Sequence, residues 1–146
     1  MLSRLIRWQT RSQYSHASVW FTDGKLLNFV IESIQGRGVR EIPGTYHDAA
    51  RVKEDIHLYE VKTLTLAQKV DIYHYMQKEL GKKYDWVHVF MFIWRGKGAH
   101  DEKWYCSEII FEAFRSAGVT LLNNVRAWEV SPGDLGQSPL VTRVPQ

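Results

Sequence analysis

Cys106 is the only cysteine of the chain, and it stands at the head of the segment CSEIIFEAFRSAG (106–118). Ile109, Ile110, Ala113, Phe114 and Ala117 recur there at helical spacing, with Cys106 in the first turn. The thiolate is the nucleophilic form of cysteine, and the free N–H groups of a helix N-terminus stabilise negative charge. The same N–H groups can hold an oxyanion, so one position supplies both an acidified thiol and a donor for developing charge. A single cysteine also excludes an intramolecular disulfide and a cysteine-based metal cluster. The competing account is a cysteine that merely packs on the apolar stripe, as free cysteines commonly do.

A reacting thiol needs an imidazole to take its proton and return it to the leaving group. His16, which opens HASVWF (16–21), is the candidate base. Glu32 sits near the end of LLNFVIES (26–33) and could hold that imidazole in one tautomer by accepting from Nδ1–H. Asp23-Gly24 between the two segments is a strong hairpin signal. A two-residue loop there pairs His16 with Ile31 and turns Glu32 to the opposite face. A three-residue loop, Thr22-Asp23-Gly24 with Gly24 left-handed in a bulge, pairs His16 with Val30. Glu32 is then a same-face diagonal neighbour about 7 Å away at the backbone. Catalysis therefore requires an odd-length loop or a bulge; the alternative is a solvent-facing glutamate at a strand end.

The remaining histidines carry weaker signals. His74 falls mid-helix and is expected to be exposed, and His88 lies in an apolar run that suits a core histidine. His47, His57 and His100 have no partner at metal-ligand spacing, and HExxH, calcium-loop, P-loop and GxGxxG patterns are absent. No metal or organic cofactor is expected.

The elements that must carry these residues follow from patterning. Residues 2–9 read as a short amphipathic helix, with Leu2, Leu5 and Ile6 on one side and Arg4 and Arg7 elsewhere. Strands are expected at 16–21, 26–33, 39–43, 57–61 and 140–144, with breaks at Gly36, Gly38 and Pro43-Gly44. Thr65-Leu66-Ala67-Gln68 fits a capping box. Leu66, Val70, Tyr73, Met76 and Leu80 then share a helical face that stops at Gly81. Residues 85–94 suit a short buried helix, 95–103 a glycine-containing loop, and 119–122 an extended segment. Ser131-Pro132-Gly133-Asp134 reads as a turn. Residues 45–54 are polar and carry no clear pattern. The result is one α+β domain spanning 1–146, a hairpin-rich antiparallel sheet with helices packed on it.

Three segments together, SRLIRWQTRSQYSHASVWF (3–21), FVIES (29–33) and KWYCSEIIFEAFRSAGV (103–119), resemble the circularly permuted branch of the NlpC-type cysteine peptidase superfamily, the YiiX-like proteins. LGKKYDW (80–86) and SPGDLGQSPL (131–140) are weaker matches. In that branch the histidine comes first, a polar residue on the next strand follows, and the cysteine lies on a later helix. The resemblance implies that His16, Glu32 and Cys106 form the catalytic set, with Tyr14, Tyr105 and Ser107 as further residues lining the site. It implies a papain-like core, a central antiparallel sheet or barrel with the cysteine helix beside it. It also implies hydrolysis of an amide, ester or thioester through an acyl-enzyme. A cell-wall (peptidoglycan) peptide is the first expected substrate. A lipid acyl group is the second, since the permuted branch is akin to lecithin retinol acyltransferase. The rival function is a catalytically silent binding module of the same fold.

Composition bounds the rest. The 146 residues are 45% apolar and 24% charged, enough to bury a core without crosslinks. Six Trp, seven Tyr and six Phe make that core aromatic. The net charge of +3 is mild, and the Arg4, Arg7 and Arg11 cluster reads first as a solvated helix face. Basic residues are too dispersed for a nucleic-acid partner to be expected. Residues 1–12 lack the uninterrupted apolar stretch of a secretory signal, and the run at 87–94 is too short to span a bilayer. The chain is expected to stay in the cytosol unless another system releases it.

Overall fold

The computed structural model describes residues 2–23, 26–45, 56–84 and 103–145. In chain order the elements are α1 (Leu2–Thr10), β1 (Val19–Thr22), β2 (Asn28–Ile34), β3 (Gly38–Pro43), β4 (Tyr59–Glu60), α2 (Leu66–Lys78), β5 (Lys83–Tyr84), β6 (Lys103–Trp104), α3 (Cys106–Ser116), a 3₁₀ turn (Ala127–Glu129), α4 (Pro132–Gly136) and β7 (Thr142–Arg143). The fold is mixed α/β, as expected. Among the described residues, however, there is no closed barrel and no single large sheet. An antiparallel β1-β2-β3 sheet stands beside an antiparallel β4-β7 pair and a parallel β5-β6 pair.

β2 is the central strand, and Val30, Ile31, Glu32 and Ser33 are buried in succession. Protein therefore covers both of its faces. Ile31 and Val39 join the main core, with Ile72 and Met76 of α2 and Ile109, Ile110, Ala113 and Phe114 of α3. Glu32 lies on the other face of β2, directly opposite Arg40 of β3.

Several boundaries differ from the pattern-based expectations. β1 begins at Val19, so residues 14–18 precede the sheet rather than opening it. Thr22 pairs with Asn28, which makes the connection residues 23–27. That loop is odd in length, as catalysis requires, but longer than the three residues expected. Asp23 organises it by accepting the N–H groups of Leu26 and Leu27 at 2.8 and 2.9 Å. Gly24, most of the unassigned stretch 45–54, the helix expected at 85–94 and most of the loop expected at 95–103 lie outside the described residues.

Thr65 caps α2 with a complete capping box, its hydroxyl accepting from Gln68 N–H. The apolar face of α2 is rotated from the expected one: Leu66 is 78% exposed and Val70 41%, while Ile72 and Met76 are buried. Residues 103–104 form β6 rather than loop, and 119–122 is irregular. The expected turn at 131–134 is the start of α4, where Ser131 accepts from Asp134 N–H and Pro132 takes the first helical position. The strands expected at 57–61 and 140–144 shrink to the two-residue β4 and β7. His74 is exposed on α2, and His47, His88 and His100 lie outside the described residues.

Candidate active site

α3 begins at Cys106, as its apolar spacing requires. Its N-cap, Tyr105, makes no side-chain capping bond, and the first intrahelical acceptor is Tyr105 O, reached by Ile109 N–H. The N–H groups of the first turn thus point out of the helix end without an intrahelical acceptor. The backbone N–H groups of Ser107 and of Ala17, the residue after His16, both act on the Cys106 thiol and favour its charged form. The segment before β1 is thereby tied to the head of α3. Side chains pin the helix as well. The Tyr105 hydroxyl donates to the carbonyl cluster of Ala127, Trp128 and Val130, and Ser107 Oγ donates to Val130 O at 2.6 Å. Burial holds the Tyr105 phenol well above its usual pKa, so it remains a neutral donor.

His16 meets Cys106 through a side-chain hydrogen bond and Glu32 through another, Nε2 to Oε2 at 2.8 Å. The carboxylate therefore takes Nε2, not the Nδ1–H anticipated from sequence. Register explains why Glu32 can reach. In the β1–β2 pairing, even-numbered residues oppose even-numbered ones, as with Trp20 and Val30. Extending that register upstream keeps His16 and Glu32 on one face.

Arg40 completes the chain of contacts. Its Nε and Nη2 both donate to Glu32 Oε1, at 2.9 and 2.6 Å, while His16 takes Oε2. Sequence patterning did not single out Arg40. A signal existed: with a turn at 35–37, Arg40 falls opposite Glu32, and opposite charges are favoured across strands.

The electrostatics follow from these contacts. Burial opposes ionisation of Cys106, but the hydrogen bond and charge of His16, with the Ala17 and Ser107 N–H groups, outweigh it and hold the thiol below its usual range. Burial likewise opposes a charged imidazole, but Cys106 and then Glu32 raise the His16 pKa from 6.5 to about 10. Burial would raise the Glu32 carboxyl, yet His16 and then Arg40 bring it down to about 2. Thiolate, imidazolium, carboxylate and guanidinium thus alternate in sign along one path. Cys106 and Glu32 are 3% and 5% exposed, whereas the His16 side chain keeps 36% of its surface open.

The cavity against Cys106 is lined by Ile6, Ser15, Tyr84, Tyr105, Ser131 and Pro132 and measures about 20 Å³, room for about one water. Tyr14 turns elsewhere, its hydroxyl bonded to His57 Nδ1 and to the Tyr59 hydroxyl. Among the described residues no group of three His, Cys, Asp or Glu is placed to hold a metal ion. No helix among them is long and apolar enough to cross a membrane.

The sequence model of a family described as permuted papain-like amidase enzymes, YaeF/YiiX, C92 family, matches residues 2–129. No curated protein matches the chain.

Proposed function

Because the chain belongs to the permuted papain-like amidases of the YaeF/YiiX type, a family of cysteine peptidases and amidases, we propose that it hydrolyses a peptide amide with Cys106 as nucleophile, His16 as acid and base, and Glu32 as the residue that orients His16. The observation that supports this is the bond from His16 Nε2 to Glu32 at 2.8 Å, with the same imidazole acting on the buried Cys106 thiol to favour its charged form.

The thiolate adds to the amide carbonyl, and the oxyanion is held in part by N–H groups at the head of α3. The C–N bond breaks as imidazolium gives its proton to the leaving amine. A water molecule then attacks the thioester and yields its proton to His16, and the C–S bond breaks to restore the thiolate. Glu32 accepts from the imidazole throughout and keeps its tautomer fixed. A cell-wall peptide stands ahead of a lipid acyl group as substrate, since the matched family is described as amidases. Mass spectrometry of Cys106 after incubation with muropeptides or with acyl thioesters names the class by the adduct trapped.

The small cavity of about 20 Å³ at the sulfur favours one second reading, a module of the same fold that binds without turnover. Alkylation decides between them. An ordinary thiol slows about tenfold per pH unit below roughly 8.5. Cys106 is expected to react with iodoacetamide at a nearly constant rate from pH 8 down to pH 5, and in His16→Ala to regain the ordinary slope. A wild-type rate that tracks an ordinary thiol ends the catalytic reading.

A further inference from the structure

Beside the thiol lies a second, larger pocket of about 330 Å³, walled by residues 11–14, β4, α4 and β7. We propose that it binds a carboxylate carried by the peptide whose amide is attacked at Cys106, an inference that rests on the catalytic reading above.

Charge comes first. Arg11 and Arg143 both line the pocket, and no acidic side chain does. Among the described residues neither guanidinium is paired with a carboxylate. The polar groups between them are already ordered. The Tyr14 hydroxyl is bonded to His57 and Tyr59 and takes a hydrogen bond from Gln13 Nε2 at 2.9 Å. Tyr59 stands directly across the β4–β7 pair from Arg143.

The backbone is shaped for the pocket. A Cβ on Gly133 would sit 2.3 Å from Ser12 Oγ, and one on Gly136 would sit 3.3 Å from the Tyr59 ring. These glycines let α4 approach both walls closely. Arg11 has φ 50, a left-handed conformation just past the end of α1 that glycine or asparagine adopts at less cost. An arginine held there, lining a cavity, is a strained position of the kind found at binding sites.

Location ties the pocket to the thiol. Ser15 and Pro132 line the small cavity at Cys106, and their chain neighbours Tyr14 and Gly133 line this one. The two spaces thus share two wall segments, residues 14–15 and 132–133. Gly133, Gly136, Gln137 and Arg143 lie beyond the matched residues 2–129, so the pocket draws on sequence the family match does not include. Planar guanidinium groups suit a planar carboxylate, which they can grip by paired hydrogen bonds.

The test is an amide NMR titration of the wild-type protein with N-acetylglutamate, with its uncharged diamide, and with inorganic phosphate. The acid is expected to shift the Gly133 and Gly136 resonances saturably, at least tenfold more tightly than the diamide and more tightly than phosphate. Arg11→Gln with Arg143→Gln is expected to weaken the acid at least tenfold. No shift with the acid, equal binding of the diamide, or unchanged affinity in the double variant overturns the inference, and tighter binding of phosphate reassigns the pocket away from a peptide carboxylate. Both arginines are exposed, and unshifted resonances away from the pocket report that the variant is folded; should it not fold, acid against diamide on the wild type decides. Iodoacetamide alkylation of Cys106 in the same wild-type sample reports separately on the catalytic reading.

Discussion

Glu32 divides its two oxygens between a base and a cation: Oε2 to His16, Oε1 to Arg40. Removing Arg40 removes a positive charge within hydrogen-bonding distance, the kind of neighbour that lowers a carboxyl pKa by roughly 1–3 units. In Arg40→Gln the Glu32 pKa is expected to rise by about that much, yet the carboxylate stays ionised over the range where His16 titrates. Hydrolysis by the wild type is expected to fall off above pH about 10, where His16 would give up the proton that the leaving amine needs. In Arg40→Gln the carboxylate stays ionised at that pH while a neighbouring cation is gone, so the upper limb is expected to move to higher pH, which a pH–rate profile reads and a merely structural loss would not produce. Acid stability follows from the same carboxylate. Its folded pKa of about 2 lies below the ordinary 4.5, so the unfolded chain takes the proton first as pH falls. The contribution of Glu32 is present above about pH 4.5 and is lost as pH falls through about 2. Urea midpoints at pH 5, 3 and 2 are expected to decline in the wild type and to decline less in Glu32→Gln.

Arg40 is where it is because β3 is held on both sides. β2 pairs with it along its length, and residues 81–82 dock on its start, Val39 N–H donating to Lys82 O and Gly81 N–H to Val39 O, both at 2.9 Å. Gly38 makes that docking fit. It has φ +72, and a Cβ there would lie 2.1 Å from Lys82 O, a backbone atom that cannot swing aside. Gly38→Ala therefore combines left-handed strain with a collision, and is expected to cost about 2–4 kcal/mol in urea denaturation. Gly36→Ala, at φ +78 with open space around it, is expected to cost about 1 kcal/mol. The contrast between the two isolates the close approach from the backbone conformation.

The molecule is assembled around α3. Its apolar stripe enters the core shared by α2 and β2, while its first turn meets the segment before β1. Stability and site are thus coupled through one helix. Ile109, fully buried one turn after Cys106, is expected to cost about 3 kcal/mol when cut to alanine, lowering the thermal midpoint by about 6–12 °C. The loosening should also reach the thiol, so that iodoacetamide alkylation of Cys106 in Ile109→Ala regains part of the ordinary pH slope.

Local pattern was enough for the elements whose signals are local. Helical spacing after Cys106, the capping box at Thr65 and the glycines after α2 and α3 marked helices within a residue or two of where they lie. The residues Cys106, His16 and Glu32 could be named as a chemical set, and strand parity required an odd loop between the last two. Other features had no local signal. Leu66 and Val70 look like core by periodicity but face outward, because what α2 packs against decides which stripe is covered. Residues 16–18, expected to open the first strand, remain outside the sheet. The turn at 23–27 depends on which N–H groups the Asp23 carboxylate captures. The composition of the chain by itself determined that one thiol would stand at a helix start with an imidazole and a carboxylate available upstream. Only the tertiary structure decided that Nε2 rather than Nδ1 meets the carboxylate, that Arg40 stands behind it, and that two arginines far apart in sequence share a pocket next door. Distances between residues remote along the chain are set by packing and register, which no short stretch of sequence encodes.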